Sequence, residues 1–366
     1  MRGAPTPTVP QPAVKAEPLA SGRSVSDQLV IQTSFLGDTV LTTPLIAELA
    51  MRGPVDVLST PAAAPLLANN PHIRTLHIYD KRGADAGAVG LHRMAQRLRE
   101  GINQRQSAHR VAYLAQGSLR SGVLAALAGY DERVGFHDAA GRIFYTHRVP
   151  RRMDRHHAER LWRLAFPSNP EVEPPEGAIR PHLYPGPAER AAVDALLGGW
   201  TQAPFIAIAP GSVWATKRWP YYSKLAQRLA PRHRLVVVGG PEDSPLAQEI
   251  VMAAGADRAI DATGRLTLLA SAELIARARV LVTNDSSPQH LASAAGTPTV
   301  SIFGPTVPAF GFGPLAPNSR EAELTTLPCR PCHHHGPTVC PLQHWKCMRD
   351  LNAEYVEEMV ERILEN

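Results

Sequence analysis

The chain has 366 residues, a net charge of +5 at pH 7 and a pI near 9.2. That length allows two α/β domains of roughly 100–200 residues each. The mild positive excess suits an acidic substrate or an anionic membrane surface rather than nucleic acid, and no window approaches about 18 consecutive apolar residues, which excludes a membrane-spanning helix.

Residues 1–26 are rich in Pro, Ala and Ser and lack the apolar core of a signal peptide. They read as a disordered leader, which leaves the protein in the cytoplasm. Order begins at residues 28–32 (QLVIQ), a buried strand, followed by a loop with Gly37 and Asp38 and a helical pattern over 40–51 containing Pro44. Strand, Gly-containing loop and helix is a layout that turns backbone amides toward a ligand. Asp38 suits a ligand contact there, and equally an N-cap.

Strands are expected at 55–59, 75–79, 110–114 and 133–136, with helices at 62–68, 89–100 and 123–127. Arg120 and Arg133 are candidates for gripping a carboxylate or phosphate, because a guanidinium fork at a strand's end fits such groups. Residues 153–166 (MDRHHAERLWRLAF) read as a helix with His156, His157 and Arg160 on its polar surface. The proline-rich run 167–187 marks a linker between domains.

The second half opens with the strand FIAIA (205–209) and the loop PGSVWATKRWP. Ser212 and small neighbours free amides for an anion while Lys217 and Arg218 supply charge, which is apt for a diphosphate although it matches neither a Walker loop nor a dinucleotide fingerprint. After the strand at 234–238, Glu242 is placed to accept hydrogen bonds from a ribose diol, with Asp243 capping the next helix. The stretch VLVTNDSSPQHLASAAGTPTVSIFGPT (280–306) is a βαβ unit whose loop carries Asp285, Ser286 and Ser287 at a helix N-terminus, with His290 inside the helix. Asp38 and Asp285 thus occupy matching places in the two halves, as two half-sites across a cleft would.

Four cysteines, Cys329, Cys332, Cys340 and Cys347, follow with His333, His334, His335 and His344 among them. Three states are open to them: reduced thiols packing a loop, a structural zinc site, or a disulfide, which a cytoplasmic location disfavours. Residues 351–364 form an amphipathic helix.

SFLGDTVLTTP, PGSVWATKRWP, VGGPED, the 280–306 unit and the Cys-rich tail occur in an order that resembles the ADP-heptose:lipopolysaccharide heptosyltransferases, glycosyltransferase family nine. The resemblance covers nearly the whole chain after residue 27, and the tail looks most like the heptosyltransferase II branch. It implies a GT-B fold, α/β with two Rossmann-like domains facing across a cleft. Residues 27–185 would bind the acceptor, 186–348 the nucleotide sugar, and the terminal helix (349–366) would return to the N-terminal domain.

Carried onto this chain, the resemblance makes Asp38 the base that deprotonates the acceptor hydroxyl and Lys217 the cation that neutralises the departing diphosphate. Glu242 would bind ribose, backbone near Leu266 adenine, Asp285 heptose hydroxyls, and Ser286 and Ser287 the phosphates, with Ser212 and His290 beside them. Gly37, Arg120 and Arg133 would line the acceptor side. The implied reaction is inverting transfer from ADP-heptose to a heptosyl-Kdo-lipid A type acceptor. It needs no cofactor or metal, and the enzyme would sit peripherally at the inner membrane. The family often has glycine after the Asp-Ser pair where this chain has Ser287-Pro288, a departure that bears on the phosphate loop. Two other readings fit parts of the pattern: a GT-B nucleotide-sugar epimerase, and a non-catalytic module whose Cys/His tail binds zinc and a partner.

Overall fold

The computed structural model describes residues 26–105 and 109–365, so the leader expected over 1–26 lies almost wholly outside the described residues. Each half of the chain builds one six-stranded sheet in which every pairing is parallel. The first contains β1 (Asp27–Ile31), β2 (Val55–Ser59), β3 (Ile73–Ile78), β4 (Arg110–Leu114), β5 (Glu132–Phe136) and β6 (His147–Val149), in the order β3-β2-β1-β4-β5-β6. The second contains β7 (Phe205–Ala209), β8 (Arg234–Val237), β9 (Ala259–Asp261), β10 (Val280–Asn284), β11 (Thr299–Phe303) and β12 (Arg320–Glu323), in the order β12-β11-β10-β7-β8-β9. These are the two Rossmann-like sheets that the sequence predicts.

Central strands covered on both faces read as unbroken apolar runs. Leu29, Val30 and Ile31 of β1 and Val280, Leu281 and Val282 of β10 are accordingly fully buried, each aliphatic side chain contributing about 1.5–3 kcal/mol. In both sheets the strand order reverses beside the first strand of the half, between β1 and β4 and between β7 and β10. Ligands of open α/β sheets bind at this reversal, beyond the carboxyl ends of the strands. Asp38 follows β1, Lys217 follows β7 and Asp285 follows β10, so the topology places all three at the reversal points. A shared apolar cluster, in which Val40 and Leu66 of the first half join Leu291 and Ala292 of the second, ties the halves together.

Several elements differ from the sequence expectation. The helix expected over 40–51 is two helices, Leu36–Leu41 and Thr43–Ala50, because Pro44 suits only the first turn of a new helix. The helix expected over 153–166 begins at His157 and runs to Trp162, continuing as a tight turn to Ala165. Short edge strands β6 and β12 carry too few apolar residues to be read from sequence. The terminal helix, Ala353–Leu364, does not return to the first domain but packs on the second sheet. Val356, Val360 and Ile363 enter the second core, and Glu354, Glu357 and Glu361 pair with Lys224, Arg228, Arg232 and His233.

Candidate active site

Loops beyond β7 and β10 make one wall of the interdomain cleft. Asn284, at the end of β10, accepts from the Trp219 amide (3.2 Å) and donates to the Pro210 carbonyl (2.8 Å), which locks the two loops together. On that support Lys217 Nζ donates to Asp285 Oδ2 at 2.6 Å and to the Asp285 carbonyl at 3.2 Å. Thr306 Oγ1 donates to the same Oδ2 at 2.7 Å. Ser286 is extended (φ −153°, ψ 176°) and the helix starts at Ser287. Neither serine adopts positive φ, so Ser287-Pro288 fits without the glycine common in the family. Ser212, Ser286, Ser287 and His290 line the cleft, and the start of this helix favours an anion there.

Glu242 and Leu266 lie further along the same sheet edge, beyond β8 and β9, on loops joined by the Gly264 amide donating to the Gly239 carbonyl at 3.0 Å. Neither lines the cleft around Lys217. Asp243 accepts from the Gly240 amide at 3.0 Å, a turn inside its own loop, and burial raises its pKa.

The facing wall comes from the first domain. Asp38 sits in the first turn of the helix Leu36–Leu41, where its Oδ2 accepts from Ser34 Oγ (2.6 Å) and from the Phe35 amide (3.4 Å). Capping and cleft roles therefore coexist: Oδ2 is tied to the helix start while Oδ1 remains for other partners. Gly37 brings this helix against the second domain, since a Cβ there would lie 2.6 Å from His290 Cδ2. Asp38, Gly37, Lys217, Asp285, Ser286, Ser287 and His290 thus surround one space.

Contrary to the sequence expectation, His156 and His157 are not on the surface. His156 caps the helix His157–Trp162 by accepting from the Ala158 amide, and its Nε2 lies 3.1 Å from the Gly313 carbonyl. His157 lies over Phe312, with ring centroids 4.7 Å apart. Burial first, then neighbouring charge, pushes His156 and His290 down to about 4 and His157 to about 3. All three are neutral near pH 7.

The two arginines expected to grip the acceptor are engaged elsewhere. Arg133 lies near the amino end of β5, and its guanidinium donates to the carbonyls of Phe144 (2.6 Å) and Tyr130. Arg120 donates to Tyr79 Oη (2.5 Å) and to the carbonyls of Asp85 and Gly87. A hollow that sequence reading missed adjoins Ser34 and Phe35, lined by the cations Lys81 and Arg82 with Asp80, Tyr79 and Gln116. Lys81 donates to the Thr33 carbonyl at 2.6 Å, and burial with the charges of Arg82 and Arg120 lowers its pKa. The signal was present, since Lys81 and Arg82 come just past the carboxyl end of β3.

The tail also reaches the cleft. His334 and His335 line it, His335 stacking on Trp214 (6.4 Å, 13° between planes) and His334 packing on Phe310 (5.1 Å). Behind them Cys329, Cys332, Cys340 and Cys347 gather with His344 around a second small pocket, all four as free thiols. Burial and the neighbouring thiols push Cys347 up to about 11. Among the described residues no group of three or more His, Cys, Asp or Glu side chains is arranged to hold a metal ion.

The Asp38 carboxyl group faces Lys217 and a helix N-terminus across one cleft, an arrangement suited to moving a group off a diphosphate. Comparisons with known proteins agree. The family model of glycosyltransferase family 9 (heptosyltransferase) matches residues 92–346. The chain is 28% identical over 306 residues to lipooligosaccharide heptosyltransferase 2 of Haemophilus influenzae, covering 77% of this chain and 84% of that one. It is 30% identical over 344 residues to lipopolysaccharide heptosyltransferase 1 of Pseudomonas aeruginosa, covering 89% and 91%. Its fold superposes on the E. coli ADP-heptose lps heptosyltransferase II with a TM-score of 0.74 at 22% identity, over 92% of this chain and 98% of the other, which makes the two facing sheets a GT-B fold. Motif order, fold and family match converge on one statement: the chain belongs to glycosyltransferase family 9, the heptosyltransferases.

Proposed function

We propose that this enzyme transfers heptose from ADP-heptose to an inner-core lipopolysaccharide acceptor of the heptosyl-Kdo-lipid A type, with inversion and without a metal. The observation that carries the reading is the placement of Asp38 across one cleft from the Lys217–Asp285 pair. Asp38 takes the proton of the acceptor hydroxyl as that oxygen bonds to the anomeric carbon. The bond from that carbon to the diphosphate oxygen breaks, and its electrons leave with ADP. Lys217 and the helix start at Ser287 meet the charge that develops on the diphosphate, the service a metal gives in other transferases. Asp285 holds donor hydroxyls, Glu242 the ribose, and backbone at Leu266 the adenine.

The acceptor is anionic, and Lys81 and Arg82 are the cations in the hollow beside Ser34 and Phe35 that would meet it. Among the described residues no helix is long and apolar enough to cross a membrane. We place the enzyme on the cytoplasmic side, peripheral to the inner membrane that bears its lipid acceptor, with electrostatic attraction as the contact. The epimerase reading has less support, because the matching family model describes heptosyltransferases.

Mass spectrometry of products from ADP-heptose and a core-oligosaccharide acceptor, with and without EDTA, tests the proposal. It requires a heptose-extended acceptor and ADP in both samples. Free heptose alone, or product lost on chelation, contradicts it.

A further inference from the structure

His157 has no part in the reaction as written, yet it is the buried side chain beside the carboxylate at its centre. Its Nε2 lies 3.6 Å from Asp38 Oδ1, the oxygen not engaged by Ser34 and Phe35. His157 is held on its other sides by the second domain. Its amide donates to the Gly311 carbonyl at 2.7 Å, and its ring lies over Phe312. Arg160, one turn along the same helix, donates to the Phe310 carbonyl at 3.0 Å. Phe312 in turn meets the ring of His290 edge-on at 6.4 Å, and His290 is the side chain against Gly37. Loop 310–313 of one domain therefore fixes an imidazole that points at the carboxylate of the other.

We propose that His157 is a positioning residue: its imidazole donates from Nε2 to Asp38 Oδ1 and holds the carboxylate aimed into the cleft when loop 310–313 of the second domain is docked. The inference rests on the reading of Asp38 as the base. Buried Nδ1 has no hydrogen-bond partner among the described residues, so nothing there competes to place the proton on Nδ1 rather than Nε2. Contacts of this kind are often long without substrate and tighten with it. Asp38, Arg151, Arg160, His156 and His290 are the charged or titratable groups facing His157, and His290, His334, His335, Lys217 and Asp285 share the cleft with Asp38. A donor removed from an ionised carboxylate raises its pKa.

The test compares His157→Phe, which keeps a ring but cannot donate, with His157→Gln, whose amide nitrogen can reach the place of Nε2. Rates are measured by ADP release from pH 5 to 9, with Asp38→Asn alongside. The Phe variant should lose about 10- to 100-fold in kcat with little change in KM for ADP-heptose. The acid limb of its kcat/KM profile should move to higher pH, and Gln should restore most of the rate and the position of that limb. Equal losses in Phe and Gln with an unmoved acid limb would show packing alone and overturn the proposal, as would a Phe variant with the wild-type rate. If Asp38→Asn is inactive while His157→Phe is unaffected, the positioning role fails alone. An active Asp38→Asn instead removes the base reading on which it rests.

Discussion

Lys217 Nζ and Asp285 Oδ2 are 2.6 Å apart, and each side chain is only 10% exposed. The pair joins the loops beyond β7 and β10 across the sheet's reversal point, so it is both a brace of the fold and the floor of the cleft. Removing one partner of a buried pair leaves an uncompensated charge and costs about 3–5 kcal/mol. Lys217→Met and Asp285→Asn should each lower stability in urea unfolding, and the double variant should lose less than the sum of the two. Lys217→Met should also reduce kcat by about 10²- to 10³-fold, the scale for losing one preorganised stabiliser of developing charge.

Close approach at Gly37 gives a second expectation. A methyl group there would lie 2.6 Å from the His290 ring, and overpacking of this kind costs about 1–3 kcal/mol. Gly37→Ala should lower the melting temperature and reduce kcat, because the helix carrying Asp38 must shift away from the second domain. A variant with unchanged melting and rate would show that this contact does not set the cleft's geometry.

Stability should fall between pH 7 and pH 5. His156, His157 and His290 have folded pKa values near 4, 3 and 4, below the ordinary 6.5. Within that window the unfolded chain binds more protons than the native one, so stability rises with pH and is fully present above about 6.5. The slope is at most about 1.4 kcal/mol per pH unit for each buried imidazole. Urea midpoints measured at pH 7, 6 and 5 should decrease in that order, and the decrease should be smaller in His290→Gln.

Arg82 is exposed and lines the hollow next to Ser34 and Phe35. Arg82→Ala should raise KM for the anionic acceptor severalfold, leave KM for ADP-heptose unchanged, and weaken the salt dependence of acceptor binding. Arg133→Ala should act differently, lowering stability through the lost bonds to Phe144 and Tyr130 without a selective change in acceptor KM.

The loops that line the cleft were legible in the sequence because each lies beyond the carboxyl end of a strand. Asp285 and Ser286 come just after β10, while Asp38 and Lys217 sit on the longer segments that follow β1 and β7, and in a parallel sheet that position sends them to the ligand edge. What was not legible depends on which segments meet in space. Phe312, His334 and His335 reach the cleft from loops far along the chain, His157 comes beside Asp38 from the start of a helix, and nothing in the local pattern of residues 153–166 tells a buried imidazole from a solvated one. Arg133 was misplaced because it stands at the beginning of its strand, not the end. The stripe Val356, Val360 and Ile363 shows that the last helix packs, but the pairing of Glu357 with Arg228 and Arg232, which holds it to the second domain, involves partners over 120 residues away.

In the proposed reaction Asp38 activates the acceptor hydroxyl while the facing domain holds the donor. The most direct test of that role is Asp38→Asn, a near-isosteric change that keeps the helix start but cannot take a proton. ADP-heptose affinity is measured by calorimetry and turnover by ADP release in the presence of acceptor. Donor affinity should stay close to wild type and turnover should fall by about 10²- to 10⁴-fold. Near wild-type turnover in this variant would contradict that role.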